Sequence, residues 1–278
     1  MTPVKWATIP IPRAVGLDQQ LDRLDILYGK KLFVGRLLKE GGLCTWQAPT
    51  TASLLAAWDV TSSSVFFDVG ANIGIYAALH ARLRPEATAI AFEPTPDVAD
   101  SGESIAAAND LDIRWERVAV SDAEGEATLF LSGRTDASNS LVSGYRQPKG
   151  TVSVPTVTLD GFVGSSGLIP EVIKIDVERH EPAVIRGAAE LLNTHHPIVV
   201  AELLPGRPES DEIQQLLADH GYHARHIEPP ASHSAPDSDG PLYDWLFWPG
   251  EVPTTFDDRF VEWYAAVARC GPVEAHSA

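Results

Sequence analysis

The segment "VFFDVGANIGIYAALHARL", residues 65–83, constrains this chain more than any other. A short apolar run passes through two glycines into a stretch rich in Ala and Leu. That pattern is a buried strand, a tight loop and a helix that stops before Pro85. It then recurs. "ATAIAFEP" reads as a second buried strand, "DVADSGESIAAANDL" as a second helix and "DIRWERVAVSD" as a third strand. Strands that alternate with helices of this length are βαβ units, so the expected core is a parallel sheet with helices on both faces. Coverage on both faces removes clean in/out alternation, as in "FFDVG" and "AIAFE".

The texture then changes. "EATLFL" and "TVSVPTVTLD" alternate with period two and are expected as antiparallel or edge strands. The polar "SGRTDASNSLVSGYRQPKG" between them is expected as a loop near the sheet edge, placed to touch substrate. The α/β rhythm resumes with "EVIKIDVE" as a strand, "EPAVIRGAAELLN" as a helix and "HPIVVAELLP" as a strand. "SDEIQQLLADHG" is a further helix, and "YHARHIE" and "LYDWLFWPG" are the last strands, flanking the loop "PPASHSAPDSDGP" of residues 229–241. In "DDRFVEWYAAVARC", Phe260, Trp263, Tyr264 and Val267 form one helical stripe, which predicts docking onto the core. The first sixty residues carry no strong strand pattern. "DQQLDRLDILYGKKLFVGRLLKEG" has helical spacing, and "TTASLLAAWDV" reads as a helix behind a Thr/Ser cap. The expected organisation is an N-terminal helical extension (1–60) that packs on the core and can act as a lid, a core domain (61–250), and a C-terminal helix and tail (251–278).

Charge narrows the partners. The chain has 38 acidic against 21 basic residues, a net charge of −17, which argues against a nucleic-acid binder that tracks phosphates with a basic face. The two cysteines, Cys44 and Cys270, have neither metal-ligand spacing nor the density of a disulfide scaffold. No basic, apolar leader opens the chain, and no apolar run approaches the ~20 residues that span a bilayer. A cytoplasmic protein without a transmembrane segment is the expectation.

In an open α/β sheet, ligands bind beyond the carboxyl ends of the strands. Gly70 and Gly74 permit close approach there, and amides of the loop and helix start favour a negative group. Asp68, just before the glycines, repels a pyrophosphate but attracts an ammonium. A ligand with both carboxylate and amine suits that pair, as the methionine end of S-adenosylmethionine does. Glu93, ending the second strand, stands where an acid accepts the hydrogens of ribose hydroxyls. NAD would satisfy Glu93 as well, but the missing G-x-G-x-x-G and the presence of Asp68 tilt the reading toward S-adenosylmethionine.

The motifs "DVGANIGIY", "AFEPTP", "VAVSD", "VPTVTLD", "IKIDVERHE" and "VVAEL" occur in the order seen in FkbM-type methyltransferases, which this chain resembles over roughly residues 65–204. The resemblance implies a class I, Rossmann-like fold with a seven-stranded, mostly parallel sheet and an antiparallel last pair. It implies methyl transfer from S-adenosylmethionine, usually to a hydroxyl of a sugar, macrolide or similar metabolite. It carries Asp68, Gly70, Asn72, Gly74 and Glu93 over as cofactor residues, with Ala71 inside the loop and Ala119 bordering the adenine. The chain departs from the family at Arg179, where a glycine is usual.

Transfer to oxygen needs an aligned acceptor and a group that takes the hydroxyl proton. The fold implied by the resemblance puts the acceptor beyond the fourth and fifth strands, near Asp176, Glu178, His180, Glu181 and Glu202. Asp176 ranks first as catalytic group, then Glu202 and Glu178, then His180. Glu181, before Pro182 at a helix start, suits capping better. Mg²⁺ is conceivable on Asp176, Glu178 and Glu202, since hard cations take oxygen ligands, but a metal-free site is favoured. The competing readings are an N-methyltransferase, a nicotinamide oxidoreductase and a catalytically inactive binding module. His80 is expected outside the cleft, and His195 and His196 at the wrong end of a strand.

Overall fold

The computed structural model describes residues 5–13, 22–133, 135–144, 148–231 and 243–272. The chain opens with a hairpin, β1 (Lys5–Ile11) and β2 (Asp22–Tyr28), paired antiparallel. Two helices follow, α1 (Phe33–Gly41) and α2 (Ala48–Thr61). The helical spacing read in "DQQLDRLDILYG" is thus overturned at Asp22–Tyr28. Leu24, Ile26 and Leu27 are buried there, and pairing with β1 decides the conformation. No Thr or Ser side chain caps α2; its N-cap is Gln47, in the left-handed region at φ 47°.

The core then runs β3 (Val65–Val69), α3 (Ile75–Leu83), β4 (Thr88–Phe92), α4 (Pro96–Ala108), β5 (Ile113–Glu116), β6 (Ala119–Val120), β7 (Gly125–Ser132), a 3-10 turn at Asp136–Ser138, and β8 (Pro148–Val157). It continues with α5 (Leu159–Ser166), β9 (Val172–Ile175), α6 (Glu181–Arg186), α7 (Ala189–His195), β10 (Ile198–Glu202), α8 (Pro208–Asp219), β11 (Tyr222–His226), β12 (Asp244–Pro249) and α9 (Thr254–Val267). The main sheet has seven strands in the order β11-β12-β10-β9-β3-β4-β5. Only its β12 runs against the others, which is the antiparallel last pair expected.

Two sequence elements split. "DIRWERVAVSD" leaves the main sheet after Glu116, and β6 joins β7 and β8 in a separate three-stranded sheet. "EPAVIRGAAELLN" breaks at Gly187, where a Cβ would strike the Ser121 carbonyl. Side chains of β3, β4, β9 and β10 are almost wholly buried, since helices cover both faces. On one face, α9 lies against α2, with Trp263, Tyr264 and Val267 buried as the stripe predicts. Trp263 fixes the contact by donating Nε1–H to Asp59 at 2.7 Å. His80 is buried beside Trp58 and Phe66, away from the cleft, while His195 and His196 are exposed. Most of the 229–241 loop lies outside the described residues. Among the described residues no helix is long and apolar enough to cross a membrane.

Candidate active site

From β3 the chain passes first to β4 and β5 on one side; β9 pairs on the other side of β3. The strand order therefore reverses between β3 and β9, the place where α/β sheets open a crevice. A cavity of about 380 Å³ opens there. Gly70 and Asp176 are the first residues beyond these strands. Asp176 donates its amide to the Val69 carbonyl at 2.9 Å. Gly70 has φ +79°, and a Cβ on it would collide with the Asp176 carbonyl oxygen. The glycine is required twice, by conformation and by this contact. Gly74 also has positive φ (+74°), and its missing Cβ makes room for Trp115.

The loop spends its amides differently from the sequence expectation. Gly70 and Ala71 both donate to the Phe92 carbonyl at 3.0 Å, Asn72 donates to Glu93 Oε2 at 3.0 Å, and Gly74 donates to the Ala71 carbonyl at 2.8 Å. The loop folds back on the end of β4, so these four amides are not available to an anion. Asp68 and Glu93 both line the cavity. Asp68 is buried at the base of the cavity and accepts from the Ala77 amide at 3.1 Å. Burial pushes its carboxyl up to about 7. Glu93 is likewise pushed up to about 7 by burial, against the pull of the Thr95 and Asn72 amides. Each Glu93 oxygen accepts one amide, Asn72 on Oε2 and Thr95 on Oε1. Each keeps lone-pair capacity for a hydroxyl. The Asn72 side-chain Oδ1 is buried and finds no partner among the described residues. Ala71 and Ala119 complete this half of the wall, Ala119 from β6 rather than from the third strand. A narrow glycine cradle, an acid for an ammonium and an acid for a diol suit S-adenosylmethionine.

The other half lies at the ends of β9 and β10. Asp176, Glu178, His180 and Glu202 all line the cavity. Glu181 does not. It is buried and accepts from the Val177 and Arg179 amides at 3.0 and 3.2 Å, fixing the turn ahead of α6. Burial pushes its carboxyl up to about 7. That turn holds Glu178 at φ 53° and Arg179 at φ 76°. The left-handed backbone at Arg179 is a physical reason for glycine at this position. Arg179 instead pairs with Glu209, outside the cavity lining. His180 sits 2.9 Å from Ser121 Oγ through Nε2, and burial lowers its affinity for a proton.

Beneath the acids sits a buried cation. Lys174 is fully buried, with Nζ 2.9 Å from Asp244 Oδ1 and 3.7 Å from Asp176 Oδ2. Asp244 also accepts from Thr50 Oγ1 at 2.7 Å. Strand register explains the cluster. Asp68 lies opposite Lys174 across β3 and β9, and Glu202 lies opposite Asp244 across β10 and β12. Burial works against the Lys174 charge, but Asp244 and Asp176 outweigh it and hold the ammonium above its ordinary range. Burial and the neighbouring acids push the Glu202 carboxyl up, and burial also raises Asp176 despite the pull of Lys174. Burial and mutual repulsion thus favour a proton among these carboxyls, while Lys174 favours their ionised form. Among the described residues, no three His, Cys, Asp or Glu side chains are arranged to hold a metal ion; Asp176, Glu178 and Glu202 share a wall without converging.

Further side chains complete the cavity wall. Phe33 and Val34 from α1, Trp46 and Gln47 ahead of α2, and Tyr76 from α3 line it. From the polar segment after β7, Thr135–Leu141 line it too, as the loop expectation proposed. Asn139 ties this segment to Thr95 at 3.1 Å, and Ser140 ties it to the Glu178 carbonyl at 2.6 Å.

Residues 68–224 match the family model described as the methyltransferase FkbM domain. The chain is 33% identical over 189 residues to the 2-O-methyltransferase NoeI of Sinorhizobium fredii, covering 57% of this chain and 77% of that protein. It is 28% identical over 166 residues to the hexuronic acid methyltransferase AglP of Haloferax volcanii, covering 58% of this chain and 64% of that one. A crystal structure of methyltransferase FkbM from Methylobacillus flagellatus superposes with a TM-score of 0.45 at 14% identity, over 67% of this chain and 43% of that one. With the family model spanning more than half of the sequence, from the strand-end acid Asp68 into β11, the chain belongs to the FkbM methyltransferase family, whose methyl donor is S-adenosylmethionine.

Proposed function

We propose that this enzyme methylates oxygen, at a hydroxyl of a sugar or similar small metabolite. One observation carries the reading. A carboxylate row, Asp176 and Glu202, stands over the buried Lys174 on the far side of the switch point from Glu93 and Ala119. The names of the relatives, a 2-O-methyltransferase and a hexuronic acid methyltransferase, point the same way.

When bound, S-adenosylmethionine supplies a methyl carbon made electrophilic by its sulfonium. Asp68 would hold the ammonium of the amino-acid end, and Glu93 would accept from the ribose hydroxyls. Ala71 and Ala119, which line the cavity, would border the cofactor, the latter on the adenine side. Asp176 would take the proton of the acceptor hydroxyl; Lys174 favours its ionised form against burial, and burial and the neighbouring acids favour a proton on Glu202. Glu202 and Glu178 orient the acceptor, and His180 forms the outer wall. Residues 1–60 form an extension whose Phe33, Val34, Trp46 and Gln47 shape the acceptor pocket.

The test is transfer of labelled methyl from S-adenosylmethionine to a panel of methyl glycosides, with the product linkage read by NMR. An O-methyl product is expected. Asp176→Asn should lower kcat by about 10²–10⁴-fold with S-adenosylhomocysteine affinity kept. Methylation on nitrogen, or an unchanged kcat in the variant, overturns the assignment.

A further inference from the structure

The acceptor half of the cavity carries an aromatic platform. Trp46 stacks on Tyr76 with ring centroids 5.2 Å apart and planes inclined by 27°. Both line the cavity, and Trp46 is only half-buried. Neighbouring contacts put this pair on the acceptor side. Helix α2, which begins just after Gln47, packs against β9 and β10. Thr50 in its first turn bonds Asp244 of β12, the strand beyond β10. Tyr76 donates its hydroxyl to Gln47 Oε1 at 2.6 Å. That bond occupies the Gln47 carbonyl and turns its amide nitrogen into the available group. Gln47 holds a left-handed backbone, φ 47°, that a non-glycine residue adopts at a cost. Such local strain persists only where surrounding contacts over-determine it, as the Tyr76 bond does here.

We propose that Trp46 is the platform of an acceptor subsite for a pyranose ring without a carboxylate, a neutral or amino sugar whose polar edge is read by Gln47, Glu178 and Glu202. This rests on the sugar-hydroxyl reading above. One face of a pyranose presents C–H groups, apolar and faintly positive, which complement the negative face of an indole. Its hydroxyl edge donates, and the wall opposite is rich in acceptors. Charge decides the rest. Among the described residues that line the cavity, Lys174 is the one lysine or arginine, and Asp244 and Asp176 already engage it. A uronate carboxylate brought beside Glu178 and Asp176 is repelled, and a protonated Glu202 offers it no compensating cation; an ammonium there is attracted.

The test uses the full chain saturated with S-adenosylhomocysteine and three probes: a methyl hexoside, its 2-amino analogue and the corresponding methyl uronate. Affinities are measured by titration calorimetry or saturation-transfer NMR. The hexoside or amino sugar is expected to bind at least about tenfold tighter than the uronate. Trp46→Ala should weaken that binding about tenfold and move the S-adenosylhomocysteine affinity less than about twofold. Trp46→Leu keeps the bulk without a ring face and serves if the alanine variant does not fold. A uronate that binds as well as the hexoside, or glycoside affinity unmoved by either variant, overturns the proposal while leaving sugar methylation intact. If none of the probes binds, the sugar reading itself fails, and the proposal with it.

Discussion

The buried Lys174 gives the sharpest prediction, because two substitutions around it should move the same observable in opposite directions. Acids from four strands act on it: Asp68 from β3, Asp176 just after β9, Glu202 from β10 and Asp244 from β12. Its Nζ stands 3.7 Å from Asp176 Oδ2. At an effective dielectric constant of about 20, that separation corresponds to an attraction of about 4 kcal/mol. Because 31% of the Asp176 side chain is open to water, the usable part is smaller, on the order of 1–3 kcal/mol, or about one to two pH units. Lys174→Met removes this attraction and leaves Asp244 acting on Asp176 as a like charge. The acid limb of kcat against pH should then move up by about one to two units. Asp244→Asn removes the competing anion, keeps an acceptor oxygen for the ammonium, and leaves the Lys174 charge to Asp176. The limb should move down, by about one unit. The assay is the initial rate of methyl transfer to the glycoside the enzyme accepts, between about pH 5 and 9, with S-adenosylhomocysteine binding as the folding control. Limbs that move the same way in both variants would refute Lys174 as the positioning residue of Asp176. Lys174→Met strands a buried Asp244 and costs about 3–5 kcal/mol of stability. If it does not fold, the downward shift in Asp244→Asn decides alone.

Cofactor binding should be linked to a proton. Asp68 sits near 7 before binding, and the positive cofactor favours its ionised form, so affinity should rise with pH up to about 7 and flatten above it; calorimetry in buffers of different ionisation enthalpy should detect proton release, and buffer-independent heats would contradict this. His80 should sensitise the fold to acid. Burial lowers it from 6.5 to about 3, so the unfolded chain takes up the proton first; the stability it contributes is complete above pH 6.5 and is lost as pH falls toward 3, by up to about 1.4 kcal/mol per unit. The urea midpoint of His80→Leu should therefore fall less steeply than that of the wild type over this range, and parallel slopes would count against the assignment. At Arg179, with φ 76°, Arg179→Gly should be about 1 kcal/mol more stable than Arg179→Ala in chemical denaturation, since both lose the Glu209 pair and differ only in backbone strain. Equal stabilities would remove the conformational explanation for a glycine there.

Much of this enzyme is local and therefore legible in one dimension. The strand, glycine loop and helix at residues 65–83 depend on apolar periodicity and on positive φ at Gly70 and Gly74, and both leave a mark in sequence. The parallel core and the acids at strand ends, Asp68, Glu93, Asp176 and Glu202, follow from the same rhythm, because a residue just beyond a buried strand opens into the crevice; the antiparallel last pair was implied only by the resemblance to FkbM-type methyltransferases. What the sequence could not decide depends on partners distant along the chain. Asp22–Tyr28 is a strand because β1 pairs with it, despite its helical spacing. The loop amides turn inward because the Phe92 carbonyl and Glu93 reach them. Lys174 is divided between Asp176 and Asp244 only because β12 delivers Asp244, 70 positions away. Trp46 and Gln47 join the cavity only when α2 settles over β9 and β10. A sequence can announce a strand end and a glycine turn. Which charges share a low-dielectric interior, and which aromatic ring lines the cavity, is settled by packing.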